Sequence, residues 1–262
     1  MKARTVLCSL ALAAVFLAAP AVQAHEFILK PEKATVAQGQ QFGVQAQAAH
    51  VFMVSEEAEN PADCSLFLLQ QGKKHPIALS EDAANKTLAG TTSLPAAGAA
   101  WLVGHRAPQV WSETTEGVLA GDRAALEKQG KKVLSVTKYE KFAKTLLNAS
   151  SKDESFKAVQ GQNLEIVLLD NPAAIQAGGT MRCQVLLHGK PVAGALVQAS
   201  YDGASPKEDT YLASVESDAK GVASLPLNHA GLWMVRTAQT VKAADKGIDQ
   251  HQMRAVTVFA IQ

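Results

Sequence analysis

One order of residues occurs twice along this chain, and it leaves little room for anything but a β fold. In the first half, Pro31 is followed by Thr35-Val36-Ala37-Gln38-Gly39 and an apolar run from Phe42 to Ala49. In the second, Pro172 is followed by Ala174-Ile175-Gln176-Ala177-Gly178 and a run from Met181 to Leu187. Farther along, Ser93-Leu94-Pro95, Gly98, Trp101 and Val103 match Ser224-Leu225-Pro226, Gly231, Trp233 and Val235. A signature repeated in this way marks two copies of one structural unit. The runs inside each copy are short, rich in Val, Leu and Phe, and separated by Gly, Pro, Asn and Asp, as in Leu164–Leu169 and Ala255–Phe259. These are strand signals, and strands at this spacing predict antiparallel sandwiches.

The expected architecture is mainly β: two tandem antiparallel β-sandwich domains, over residues 25–120 and 159–262, with a short helical connector over 121–158. The connector is predicted from Thr137 and Glu140, which have capping-box spacing, and from Tyr139, Phe142, Ala143, Leu146 and Leu147, which recur at helical intervals. A further short helix or exposed loop is expected over Gly121–Lys132. The second copy carries a tight turn at His188-Gly189-Lys190-Pro191, a core strand, and a second turn at Asp218-Ala219-Lys220-Gly221. This arrangement resembles transthyretin-like and carboxypeptidase-regulatory-like sandwiches of the broad immunoglobulin kind. The likeness bears on fold and carries no chemistry.

Residues 1–24 read as a secretory signal peptide. Lys2 and Arg4 begin it, Val6 to Ala19 are apolar, and Val22-Gln23-Ala24 is a small-x-small cleavage site. The product is therefore expected in the periplasm. The chain has 25 Lys+Arg and 24 Asp+Glu. Removing Lys2 and Arg4 leaves 23 against 24, a net charge of −1, which offers no basic surface for nucleic acid or an anionic membrane. No apolar run after the leader reaches the length of a membrane span, so the protein is not expected to be membrane-embedded. Of three cysteines, Cys8 falls in the leader. Cys64 and Cys183 could form one disulfide in an oxidising compartment or remain two buried thiols.

Cleavage after Ala24 would make His25 the first residue. A histidine there offers two nitrogen ligands, an α-amine with a reference pKa of about 7.7–8.0 and an imidazole of about 6.5, both able to shed a proton near neutral pH. Nitrogen with oxygen ligands suits nickel or cobalt, and adding a thioether would turn the set toward copper. His50 ends the first apolar run, and His105 follows Trp101-Leu102-Val103-Gly104. His251 and Met253 share one face of a strand. The candidate metal ligands are thus His25, His50, His105, His251 and Met253. His75, His188 and His229 belong to solvated turns. No Gly-x-Ser-x-Gly, His-Glu-x-x-His or phosphate-cradling loop is present, so the chain is not expected to be an enzyme.

The start His25-Glu26-Phe27-Ile28-Leu29, following a leader that ends in Ala, resembles the opening of a family of periplasmic proteins. That family is classed as a domain of unknown function and described as periplasmic components of cobalt or nickel transport systems. The resemblance continues through Val36-Ala37-Gln38-Gly39, His50-Val51-Phe52, Thr137-Lys138-Tyr139-Glu140-Lys141-Phe142-Ala143-Lys144, Leu164-Glu165-Ile166-Val167 with Asn171-Pro172, Gly189-Lys190-Pro191-Val192-Ala193-Gly194-Ala195 and Gly231-Leu232-Trp233-Met234-Val235. Ile28 stands where the family often has Trp. The resemblance implies a β-rich periplasmic protein that binds nickel or cobalt and assists uptake by an inner-membrane transporter. His25 and His50 match its initial and first-strand histidines. Two other functions fit the same residues: a copper site of histidine-brace type, and a structural or ligand-binding sandwich without metal.

Overall fold

The computed structural model describes residues 25–262, so the leader expected over 1–24 lies outside the described residues. In chain order the first strands are β1 (Glu26–Pro31), β2 (Gln41–Ala49), β3 (Cys64–Gln70), β4 (Lys73–Ile77), β5 (Ser80–Asp82) and β6 (Thr87–Ser93). Then come β7 (Ala100–Thr114), β8 (Gly117–Ala120), helix α1 (Arg123–Lys128) and β9 (Val133–Leu147). The second half has β10 (Leu164–Leu168), β11 (Gly179–Leu187), β12 (Lys190–Pro191), β13 (Leu196–Tyr201), β14 (Ala213–Glu216), β15 (Val222–Leu227), β16 (Gly231–Lys242) and β17 (Gln250–Ile261).

The repeat in the sequence is a repeat in the structure. After each Pro-to-Gly segment a strand pairs with the strand at the Ser-Leu-Pro signature: β2 with β6, which ends on its Ser93, and β11 with β15, which contains Ser224-Leu225-Pro226. Each Trp then lies on the next long strand, Trp101 on β7 and Trp233 on β16. The first outer sheet runs β1-β2-β6-β5, and the second joins β10, β11, β12 and β15.

The two copies are not separate sandwiches. A nine-stranded sheet runs through both in the order β14-β13-β16-β17-β9-β7-β3-β4, with β8 on β7. Its centre is a parallel pairing of β17 with β9, from Gln250 opposite Thr137 to Val258 opposite Thr145. Outward from that seam the two sides follow the same plan: β9, β7, β3, β4 on one and β17, β16, β13, β14 on the other. The outer sheets cover opposite faces. Phe27, Leu29, Phe42 and Val44 of the first pack with Leu66, Leu102, Ala143 and Leu147. Leu164, Ile166, Met181 and Val185 of the second pack with Trp101, Phe142, Leu146 and Trp233.

The helical connector expected over 121–158 is corrected by β9. The helical residues there are only α1, capped by the Asp122 carboxylate on the Ala125 N–H at 2.8 Å, and a single 3-10 turn over Ser155–Lys157. The spacing that reads as one helical face is also the spacing of a strand buried on both sides. Phe142 and Leu146 enter one core, and Ala143 and Leu147 enter the other. Successive strand residues alternate faces, and a fully buried strand reads as a near-continuous apolar run. Cys64 and Cys183 are free, which settles that alternative. They sit against the two different cores, Cys183 inside one and Cys64 beside the other.

Candidate metal centre

The ladder between β1 and β2 places two histidines together. Its outermost pair is Glu26 opposite Ala49. One step farther out, His25 and His50 meet, with ring centroids 4.2 Å apart and a tilt of 47°. Beyond His50 the chain reverses. Val54 N–H donates to Val51 O at 3.0 Å, and Met53 takes a left-handed φ of 65°. The returning segment rejoins β2 where Glu56 N–H donates to Ala48 O at 2.9 Å.

That return sets the Glu56 carboxylate between the two rings. Oε2 lies 3.1 Å from His25 Nε2 and 3.0 Å from His50 Nδ1, and Oε1 accepts the His50 backbone N–H at 2.7 Å. Glu57 Oε1 stands 3.0 Å from His25 Nδ1. One ligand atom each from His25, His50 and Glu56 lies within 4.8 Å of the others, the sole such trio among the described residues. Burial works to raise the Glu56 carboxyl. The His50 ring and backbone hydrogen bonds, with the charges of His50 and His25, outweigh it and hold Glu56 at about 2. The carboxylate is therefore ionised whenever a histidine can give up its proton to a metal. The side chains are 23% (His25), 14% (His50) and 30% (Glu56) exposed, so the trio is anchored yet open to solvent.

The frame beneath is charged and buried. Glu26 Oε1 accepts from Arg236 Nε at 3.0 Å, Arg236 Nη2 at 2.6 Å and Arg254 Nη1 at 2.7 Å. The first residue of β1 is thus tied to β16 and β17 across the seam. His50 O accepts the Asp209 N–H at 3.1 Å, which joins the second ligand to the loop after β13. Two nitrogens and a carboxylate oxygen form a borderline donor set suited to divalent nickel, cobalt, zinc or copper.

His105, His251 and Met253 are not part of this trio. His105 on β7 and His251 on β17 flank Glu140 of β9: His105 Nε2 is 2.8 Å from Oε1, and His251 Nε2 is 3.0 Å from Oε2. Met253 registers opposite Glu140 and is fully buried. This cluster shares its face of the central sheet with Phe142, on which the His105 ring stacks at 5.0 Å. Arg254, beneath His25, projects from the alternate face of β17. His25 and His50 thus meet on one face of the sheet, and His105, His251 and Met253, the candidates to complete their set, lie on the other. Glu56 and Glu57 were missed from the sequence. Their signal was an acidic pair six and seven residues past His50, on the far side of a tight turn.

A family model described as a domain of unknown function (DUF4198) matches residues 22–241. No curated protein matches the chain. Among solved structures, the chain is similar to the D0-D1 domain of intimin, with 14% identity over 90% of this chain and 98% of that one and a TM-score of 0.23. The BSP domain of a biofilm-associated protein has 9% identity over 89% of this chain and 29% of that one, at a TM-score of 0.23. A trypsin-activated alpha-2-macroglobulin from Escherichia coli has 11% identity over 89% and 15%, also at 0.23. No helix among the described residues is long and apolar enough to cross a membrane.

Proposed function

We propose that this chain, which belongs to the DUF4198 family, is a periplasmic binder of divalent nickel or cobalt that hands its ion to an inner-membrane transporter. The observation that carries the reading is the convergence of His25, His50 and Glu56. Two imidazoles and a carboxylate make an N/O set without sulfur, which favours nickel or cobalt over a soft copper(I) site. Partial exposure of all three side chains leaves coordination positions for exchange, as a carrier requires and a closed structural cage does not provide. The leader read from the sequence would free the His25 α-amine as a further nitrogen ligand.

The test uses protein that begins at His25, titrated calorimetrically with nickel, cobalt and copper(II). Nickel or cobalt is expected to bind at one equivalent at this trio. His25→Ala, His50→Ala and Glu56→Gln are each expected to weaken it at least tenfold. An added residue before His25 blocks the amine while sparing the imidazole and should weaken binding by a smaller factor. No binding by any of the three metals, or binding indifferent to His25 and His50, would overturn the reading. Retention of copper(II) alone would move the site to the histidine-brace class, whose second histidine would be His50.

A further inference from the structure

We infer that His105, Glu140 and His251 form a second, independent divalent-metal site on the opposite face of the central sheet. Three neighbouring strands supply the three side chains. Phe142 of β9 pairs with His105 of β7, and Glu140 is one same-face step along β9. On its other side Glu140 pairs with Met253, and His251 is one same-face step along β17. A carboxylate is thereby centred between two imidazoles, with one oxygen near each Nε2 at 2.8 and 3.0 Å.

Ordinary hydrogen bonding accounts for half of this cluster. His105 Nε2 is well aligned with Oε1. His251 Nε2 is a fully buried nitrogen whose sole close polar neighbour among the described residues is Oε2 at 3.0 Å, in an ion-pair contact that misses good hydrogen-bond alignment. Such orphaned buried groups are few in folded proteins, and an ion is one of the standard explanations. A divalent cation between the imidazoles and the carboxylate would occupy the free direction of His251 Nε2.

The surroundings fit this assignment. The Glu140 and His251 side chains are 7% and 13% exposed, whereas His105 is 37% exposed. Two ligands are therefore enclosed by packing, and the third is the most exposed of them, on the side from which an ion would enter. The Phe142 ring stacks on His105 and sets its plane, and the buried Met253 lies next to Glu140 as the floor. These ligand atoms are less tightly gathered than those of the first trio, so the site is expected to be the weaker of the two. None of these residues depends on a free N-terminus, which separates this site from the proposed function above.

Stoichiometry decides it. Nickel and zinc chlorides are titrated into the protein beginning at His25, with the histidine ring resonances followed by NMR. Two equivalents are expected, the weaker broadening or shifting His105 and His251. His25→Ala/His50→Ala should retain one equivalent at the weaker affinity. His105→Ala alters a half-buried position; it and His251→Ala, each confirmed folded by the unchanged resonances of His25 and His50, should remove that equivalent and leave the stronger one. Loss of all binding in His25→Ala/His50→Ala would overturn this inference and leave the proposed function standing. A single equivalent that survives in that variant and vanishes in His105→Ala would establish this site and overturn the other.

Discussion

Lys144→Met should be among the most damaging single substitutions in the molecule. Lys144 and Glu165 are each 1% exposed, with Nζ 2.6 Å from Oε1. The pair joins β9 of the central sheet to β10 of the second outer sheet, and the ammonium also lies 5.0 Å from the centroid of the Trp101 ring. Methionine preserves most of the stem and removes the charge, leaving the Glu165 carboxylate with the backbone N–H groups of Gln160 and Gly161 at 2.8 and 2.9 Å. Breaking a buried pair in this way costs about 3–5 kcal/mol, a large share of a domain stability of about 5–15 kcal/mol. The two remaining donors place the expected loss near the lower end. With a urea slope of about 3 kcal/mol/M for a chain of this size, the midpoint should fall by roughly 1 M. Glu165→Gln, added to Lys144→Met, discharges the orphaned carboxylate and keeps an acceptor for one backbone donor. The double variant should regain at least about 1 kcal/mol over Lys144→Met, although Glu165→Gln destabilises the otherwise unaltered protein. Urea denaturation of the four proteins at pH 7 measures this. A loss under about 1 kcal/mol in Lys144→Met, or additive losses around the cycle, would refute the account of a charge held by its partner.

Three other outcomes follow from the same structure. Glu56 is held at about 2 against an ordinary value of 4.5; its folded pKa is depressed, so its contribution to stability is present above about 4.5 and is lost as pH falls toward 2. Acid-unfolding curves of the unaltered protein and Glu56→Gln should accordingly converge across that window, and a constant gap down to pH 2 would contradict the assignment. Burial pushes the Cys64 and Cys183 thiols up to about 12, so a disulfide-exchange reagent at pH 8 should label neither in folded protein beginning at His25 and both in guanidinium; thiolate is the reactive form. A Cβ on Gly90 would come within 2.7 Å of Ile77 Cγ2 and 2.9 Å of Ala78 O, so Gly90→Ala should cost about 1–3 kcal/mol by overpacking, read as a lower melting temperature.

The strands and the internal repeat were legible because period-two patterning and turn residues report local structure directly. The meeting of His25 and His50 was also within reach: a ladder pairing Glu26 with Ala49 follows from two apolar strands joined by the segment between them. Glu56 was not, because its place depends on the left-handed turn at Met53, which no residue preference announces. β9 misled because a strand with a core on each side reproduces helical spacing, and its Lys141 and Lys144 look solvent-bound until Glu59 and Glu165 are seen across from them at 2.9 and 2.6 Å. The grouping of His105 and His251 with His25 failed for a topological reason. Sequence gives the face of each strand, and only the parallel seam says which faces coincide.

The last strand of the chain lies in the middle of the molecule. β17 fills the gap between β9 and β16, pairing with both along most of its length, and its residues 250–261 fall beyond the 22–241 segment that the family model spans. A protein cut at that family boundary would expose two long unsatisfied strand edges at its centre, the arrangement most prone to intermolecular pairing. The partners of β17 on β9 lie more than a hundred positions earlier, so this central pairing is of high contact order, the kind that slows folding.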